Sequence, residues 1–269
     1  MHPFQKAVKL KLARAAEQVE ALNQIVSAWI AENPFVAVCE LREERLGFRV
    51  VQQNFQSPPP LEEWSLLAGE CIHNIRSALD NLVFALARLR NDPPAAPDKL
   101  QFPIHIDKAK FDKNGRNKLD QLTPEAANVV EMLQPFQRDG SPGNGPENDL
   151  LTLLQWLSNT DKHRVPSVVL IAPTDIFHNF SAEFQSEADA AANVLPDTVI
   201  WGGPLEPGAV LIELKTRHPL VSAKGSYVGH AIVALQTDSE NLAIVQILQN
   251  LSQYVSLVCA QFDRFFELP

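Results

Sequence analysis

Residues 61–92 contain no proline, yet Pro58-Pro59-Pro60 stand directly before them and Pro93-Pro94 directly after. Proline inside a helix removes a hydrogen bond and clashes with the preceding turn, so an uninterrupted stretch framed this way invites one long helix. Trp64, Leu67, Cys71, Ile75, Leu79, Leu82, Leu86 and Leu89 recur at spacings of three and four, the period of a helix with one apolar face. Glu62 and Glu63 suit its positive end. The chain's other prolines behave alike. Of its 20 prolines, Pro34, Pro124, Pro135 and Pro166 each fall at the edge of a predicted element, so they mark boundaries rather than disorder.

Between those marks the periods are readable. Val8, Leu12, Ala15, Val19, Leu22, Val26 and Trp29 specify a helix over 5–32, ended by Asn33-Pro34. Val36 and Val38, then Phe48 and Val50, alternate around residues 43–47 and predict a β-hairpin over 36–52. Thr123-Pro124-Glu125 opens a short helix to about residue 134, and residues 147–163 form another. The chain then turns β-prone at 168–171, 180–184, 209–214 and 230–235, an antiparallel sheet of about four strands. A last helix over about 239–266 closes it. The expectation is an α+β fold in one domain: a bundle of long antiparallel helices from 1–165 and 238–269, with the N-terminal hairpin and a β-rich part over 166–237.

Hydrophobic residues are 45% of the 269 and charged residues 20%, as in globular proteins. The net charge of −9 argues against broad electrostatic binding of nucleic acid, although a local basic patch would not conflict with it. Cys39, Cys71 and Cys259 are odd in number and far apart, which predicts free thiols in a reducing cytosol and no zinc knuckle. The first twenty residues lack an apolar core and a cleavage site, and read as a mature helix. Residues 241–262 carry no charge and are long enough to span a bilayer. Gln246, Gln249, Asn250, Gln253 and Ser256 nevertheless share one face, opposite Ile244, Ile247, Leu248, Leu251, Val255 and Val258. That is an amphipathic helix whose uncharged polar face suits a homodimer seam as well as solvent. No membrane span is expected. Residues 140–146 are glycine-rich, but no GK[ST] follows them, so they are not a phosphate loop.

Two polar clusters carry what chemistry there is. In the first, His73, Ser77 and Asp80 fall on one side of the long helix with Arg76 beside them. The same side meets Phe84 and Ala87 further on, which predicts a covered, semi-buried pocket. Arg76 and Asp80 are spaced for an i,i+4 pair, as are His73 and Ser77. In the second, Asn159, Thr160, Asp161, Lys162, His163 and Arg164 end a helix. The three basic residues suit the negative end of its dipole. Asp161 does not. It continues the stripe of Leu150, Leu154 and Leu157 and should point inward toward a cation, with Arg76 or His73 the expected partner. Joined, His73, Arg76, Asp80, Asp161 and His163 would form an acid–base set, with Ser77, Asn159, Lys162 and Arg164 as binding groups.

The segment HNIRSALDNLVFALAR and the later NTDKHR, with Phe102-Pro103-Ile104 and Gln134-Pro135-Phe136 between them, resemble a group of uncharacterised bacterial proteins over about residues 60–165. That resemblance implies no activity. More distantly the chain resembles HEPN-type helical proteins, many of them dimeric, metal-independent endoribonucleases of toxin–antitoxin and phage-defence systems. Their Arg-then-His spacing of four to six residues is missing here, and only Arg76 and His163 would form a comparable pair in space.

Three functional readings follow. The first is a non-catalytic cytoplasmic module, with a homodimer as one arrangement, whose polar pocket is structural or binds a small anion. The second is a HEPN-like endoribonuclease, with RNA as partner. The third is a metal-assisted hydrolase using His73, Asp80 and His163 or His105, although the spacing fits no zinc motif and Arg76 would oppose a cation. No cofactor or metal is assigned. His178, His218 and His230 receive no role.

Overall fold

The computed structural model describes residues 2–173, 176, 180–193, 197–206 and 208–267. It is α+β. The helices are α1 (Lys6–Glu32), α2 (Leu61–Arg90), α3 (Lys108–Lys110), α4 (Pro124–Met132), α5 (Leu150–His163), α6 (Glu187–Ala191) and α7 (Ile244–Ala260). The strands are β1 (Phe35–Leu41), β2 (Gly47–Gln52), β3 (Val168–Ile171), β4 (Phe180–Phe184), β5 (Asp197–Ile200), β6 (Val210–Lys215), β7 (Leu220–Gly229), β8 (Ile232–Gln236) and β9 (Asn241–Ala243). His178 lies outside the described residues. Among them no helix is long and apolar enough to cross a membrane.

The chain divides into two compact units. One takes Met1–Asn23, Glu62–Pro166 and Ile244–Pro269, the other Gln24–Leu61 and Ser167–Ala243. The first is helical. Its core includes Val8, Ala15, Val19 and Leu22 from α1, Trp64 to Leu86 along one side of α2, Leu151, Leu154 and Leu157 from α5, and Leu248, Leu251 and Val255 from α7. Capping is local. Thr123 accepts the amide of Ala126 at the start of α4, and Asp149 accepts that of Leu151 at 2.7 Å at the start of α5. Asp149 is fully buried and also takes the Arg138 guanidinium, which in turn donates to the Tyr254 hydroxyl of α7. After α3 the chain continues through a π turn at Phe111–Gly115, where Phe111 packs against His105 and Phe136.

The second unit holds two antiparallel sheets. The larger has six strands in the order β4-β7-β1-β2-β6-β5, the smaller three in the order β3-β8-β9. The expected hairpin is present, and it forms the middle of the larger sheet rather than a separate element. β7 bridges two partners: residues 220–225 pair with β4 and residues 226–229 with β1. Gly47 opens β2 at φ +141, and a side chain there would strike the backbone of Leu214 on β6. The four β-prone runs, expected in one sheet, are divided between the two, β4 and β6 in the larger and β3 and β8 in the smaller, and β5, β7 and β9 pair with them as well. The last helix is shorter than expected, since residues 241–243 pair with β8 before α7 begins.

Candidate functional site

The helical unit sorts the predicted site residues into two places on α2. The first is a clamp. Arg76 is 4% exposed. Its Nη2 donates to Asp80 Oδ1 at 2.8 Å and to the carbonyl of Phe102 at 2.6 Å. The amide of Phe102 returns a bond to the same Asp80 oxygen at 2.9 Å. Burial pulls the Arg76 guanidinium below its ordinary range, while Asp80 acts in the opposite direction. Its Nη1 is buried without a hydrogen-bond partner among the described residues. From the other side, fully buried Gln134 donates to the carbonyl of Pro103 at 2.8 Å and accepts the amide of His105 at 3.1 Å. The Phe102–His105 loop is thus pinned between α2 and the end of α4. The segments around Arg76, Phe102 and Gln134 meet in this clamp.

The second place is a cleft of about 560 Å³ among α1, α2 and α5. Arg14 and Gln18 line it from α1, Leu66, Gly69, Glu70, His73 and Asn74 from α2, and Asp161 and Val165 from α5 and just beyond it. Asp161 lies against the bare backbone of Gly69. A Cβ at residue 69 would run into the Asp161 carboxylate, its Cγ being 3.3 Å away. A glycine inside a helix costs about 1 kcal/mol relative to alanine, so α2 gives up stability to admit this side chain. Asp161 is half-buried, sits in the last turn of α5 where the dipole disfavours an acid, and has no hydrogen bond or ion pair with any described residue. Arg14 forms its ion pair with Glu17 at 3.3 Å instead.

His73 and Asp161, one from each polar cluster, therefore line the same cleft. Arg76 and Asp80 do not. The expectation that Arg76 supplies the cation for Asp161 is corrected: Asp80 and the Phe102 carbonyl take its guanidinium. The expectation of a covered His73 is corrected too, since His73 is exposed on a narrow strip of α2 with Leu66, Glu70 and Phe84. Its Nε2 lies 3.3 Å from the Ser77 hydroxyl, the expected i,i+4 contact. Asn159, Lys162, His163 and Arg164 are exposed and do not line the cleft. Asn159 accepts a bond from Gln155 at 2.9 Å. His105 belongs to the pinned loop, where burial and Lys110 lower its pKa. His218 pairs with Asp189 at 3.3 Å, and His230 is exposed. Among the described residues no three His, Cys, Asp or Glu side chains come together to hold a metal ion.

Sequence reasoning missed Arg14, Gln18, Leu66, Gly69, Glu70, Asn74 and Val165. One signal was present: a glycine in the middle of the most regular helix of the chain, which usually has a packing or functional reason. Comparison with protein-family models, with curated proteins and with solved structures found no match.

Proposed function

We propose that this chain is a binding module, and that the cleft among α1, α2 and α5 receives the cationic group of a small molecule at Asp161. The observation that carries this reading is the carboxylate itself. It is half-buried, unpaired among the described residues, unfavourably placed at a helix C-terminus and accommodated by a mid-helix glycine. A half-buried charge lacking a partner is costly, and a ligand cation removes that cost. Glu70 and Asp161 in the lining favour a cation over the small anion expected from sequence. The Arg76–Asp80 pair has a structural role in this reading, holding the Phe102–His105 loop. The Arg76 guanidinium that the HEPN-like reading would bring to a phosphate is bonded through its Nη2 to Asp80 and the Phe102 carbonyl.

The test is calorimetric titration of the full chain with n-butylamine, butylguanidine and butyrate, alongside Asp161→Asn. The two cations are expected to bind the wild type and not the variant, and butyrate neither. Binding of butyrate alone, or cation binding that survives Asp161→Asn, refutes the proposal.

A further inference from the structure

The larger sheet ends in two unlike strands. β4 carries the exposed acid Glu183 and a register shift between Glu183 and Phe184, two devices that discourage a further strand. β5 pairs in even register, and its single charged residue is its first, Asp197. Val199, Ile200 and Trp201 are 58%, 55% and 50% exposed. Successive side chains of a strand alternate in direction, so both faces of β5 reach solvent. Trp201 is nevertheless held in place. Its indole Nε1 donates to the carbonyl of Pro204 at 3.0 Å, and a Cβ on Gly203 would strike its ring. An exposed aromatic with its polar atom bonded and its ring fixed has little freedom to lose on association. The backbone defines what the edge offers. The Trp201 amide bonds the Leu211 carbonyl at 2.9 Å, and Ile200 stands opposite Ile212. Bonded and non-bonded residues alternate along an antiparallel pair, so the N–H and C=O of Ile200 point away from β6. Among the described residues β5 pairs with β6 alone.

We propose that this edge joins a second copy of the chain, β5 to β5, antiparallel about a two-fold axis at Ile200. An outward N–H and C=O on one residue are complementary to the same two groups on its copy. This register sets Val199 against Trp201 of the second copy, twice, an aromatic–β-branched pairing that stabilises sheets. Asp197 falls opposite Gly203 rather than opposite itself, which limits repulsion between two chains of net charge −9. On β6, Glu213 stands opposite Val199 and is already paired with Arg42 at 2.9 Å and Arg49 at 3.1 Å, so the charge beside the seam is neutralised. An aromatic side chain carries about 150–250 Å² of surface, so half-exposed Trp201 alone offers about 100 Å². With Val199, Ile200 and the strand backbone of both copies the seam covers about 800 Å², short of the roughly 1,000 Å² of a stable interface. The dimer is therefore reversible and forms at micromolar concentration.

The experiment is sedimentation velocity of the full chain from low to high micromolar concentration. The wild type is expected to pass from monomer to dimer. Ile200→Pro removes the outward N–H without removing a bond to β6, and Val199→Lys sets a charge against Trp201 of the second copy. Each is expected to weaken the dimer at least about tenfold, with an unchanged far-UV spectrum as the check on folding. Leu257→Lys, on the exposed side of α7, is expected to leave it unaltered. Hydrogen exchange on the wild type needs no variant: the Ile200 amide should exchange more slowly as protein concentration rises. A monomer at every concentration, with that amide exchanging at one rate, overturns the proposal. So does a dimer of unchanged affinity in both β5 variants, and a dimer lost in Leu257→Lys alone moves the seam to α7 and overturns it too.

Discussion

Replacing Asp80 with alanine should destabilise the helical unit by about 3 kcal/mol, in the range for breaking a buried ion pair. The figure follows from the bonds lost. One Asp80 oxygen accepts from Arg76 at 2.8 Å and from the Phe102 amide at 2.9 Å. Without it the guanidinium, 4% exposed, keeps only the Phe102 carbonyl among its observed partners, and the Phe102 amide has no acceptor. Removing one member of a buried ion pair costs about 3–5 kcal/mol. The Asp80 side chain is 35% exposed, so water reaches the gap and the lower end applies. Asp80→Asn keeps an acceptor in place and should cost only about 1–2 kcal/mol. Urea denaturation followed by circular dichroism measures both, and hydrogen exchange at the Phe102 amide reports the loop directly. A loss below about 1 kcal/mol in Asp80→Ala, with Phe102 still protected, would show that the clamp does not hold the loop.

Gln134→Ala removes a fully buried amide that joins Pro103 and His105, and should cost about 2–3 kcal/mol with faster proteolysis near residues 102–106; unchanged cleavage there would argue against pinning. Asp149→Ala takes away both the cap of α5 and the anion facing Arg138, for a loss of about 2–4 kcal/mol, whereas Asp149→Asn should retain the capping share. Gly69→Ala sets a gain in helix propensity of about 1 kcal/mol against an overpacking cost of about 1–3 kcal/mol, so a slightly lowered melting temperature together with lost amine binding is expected; a stabilised variant that still binds would contradict the seat assigned to Asp161. Burial pushes the thiols of Cys71 and Cys259 up to about 12 and that of Cys39 to about 11. Since raised values shrink the thiolate fraction at neutral pH, Ellman's reagent should label the native protein slowly and all three cysteines after denaturation.

The helices were legible because their signals are local. Proline marks, capping residues and the period of three and four placed α1, α2, α4 and α5 to within a few residues. The sheet was less so. β7 carries Ser222, Lys224, Gly225 and Ser226, which resemble a connection in sequence, and becomes a strand because β4 and β1 bond to it. The two i,i+4 contacts on α2 were readable for the same local reason, and the inward turn of Asp161 followed from its stripe. What the acid would meet was not readable. Helical periodicity ranks the faces of α2 but does not say which neighbour covers each, so it offers Arg76 and His73 alike to Asp161, whereas Asp80 and a loop carbonyl 26 residues away hold Arg76. Gly69 and Gln18 escaped notice because a glycine contributes no side chain to a pattern and a glutamine resembles an ordinary surface residue.

The order of strands in the larger sheet imposes a schedule on synthesis. β1 and β2 lie at its centre, yet β6 and β7, which cover their outer edges, are made some 160–190 residues later: Phe35 pairs with Gly229 and Phe48 with Leu214. A ribosome adding about 5–20 residues per second leaves both edges of the hairpin bare for about ten seconds or longer. During that interval the nascent chain offers Val36, Val38, Val50 and Val51 on strands with unpaired outer edges, an invitation to pair with another chain. A message truncated before residue 210 makes that exposure permanent. Such fragments should collect in the insoluble fraction of a translation reaction while the full chain leaves it, and a holdase added early should rescue the full chain more than the fragment.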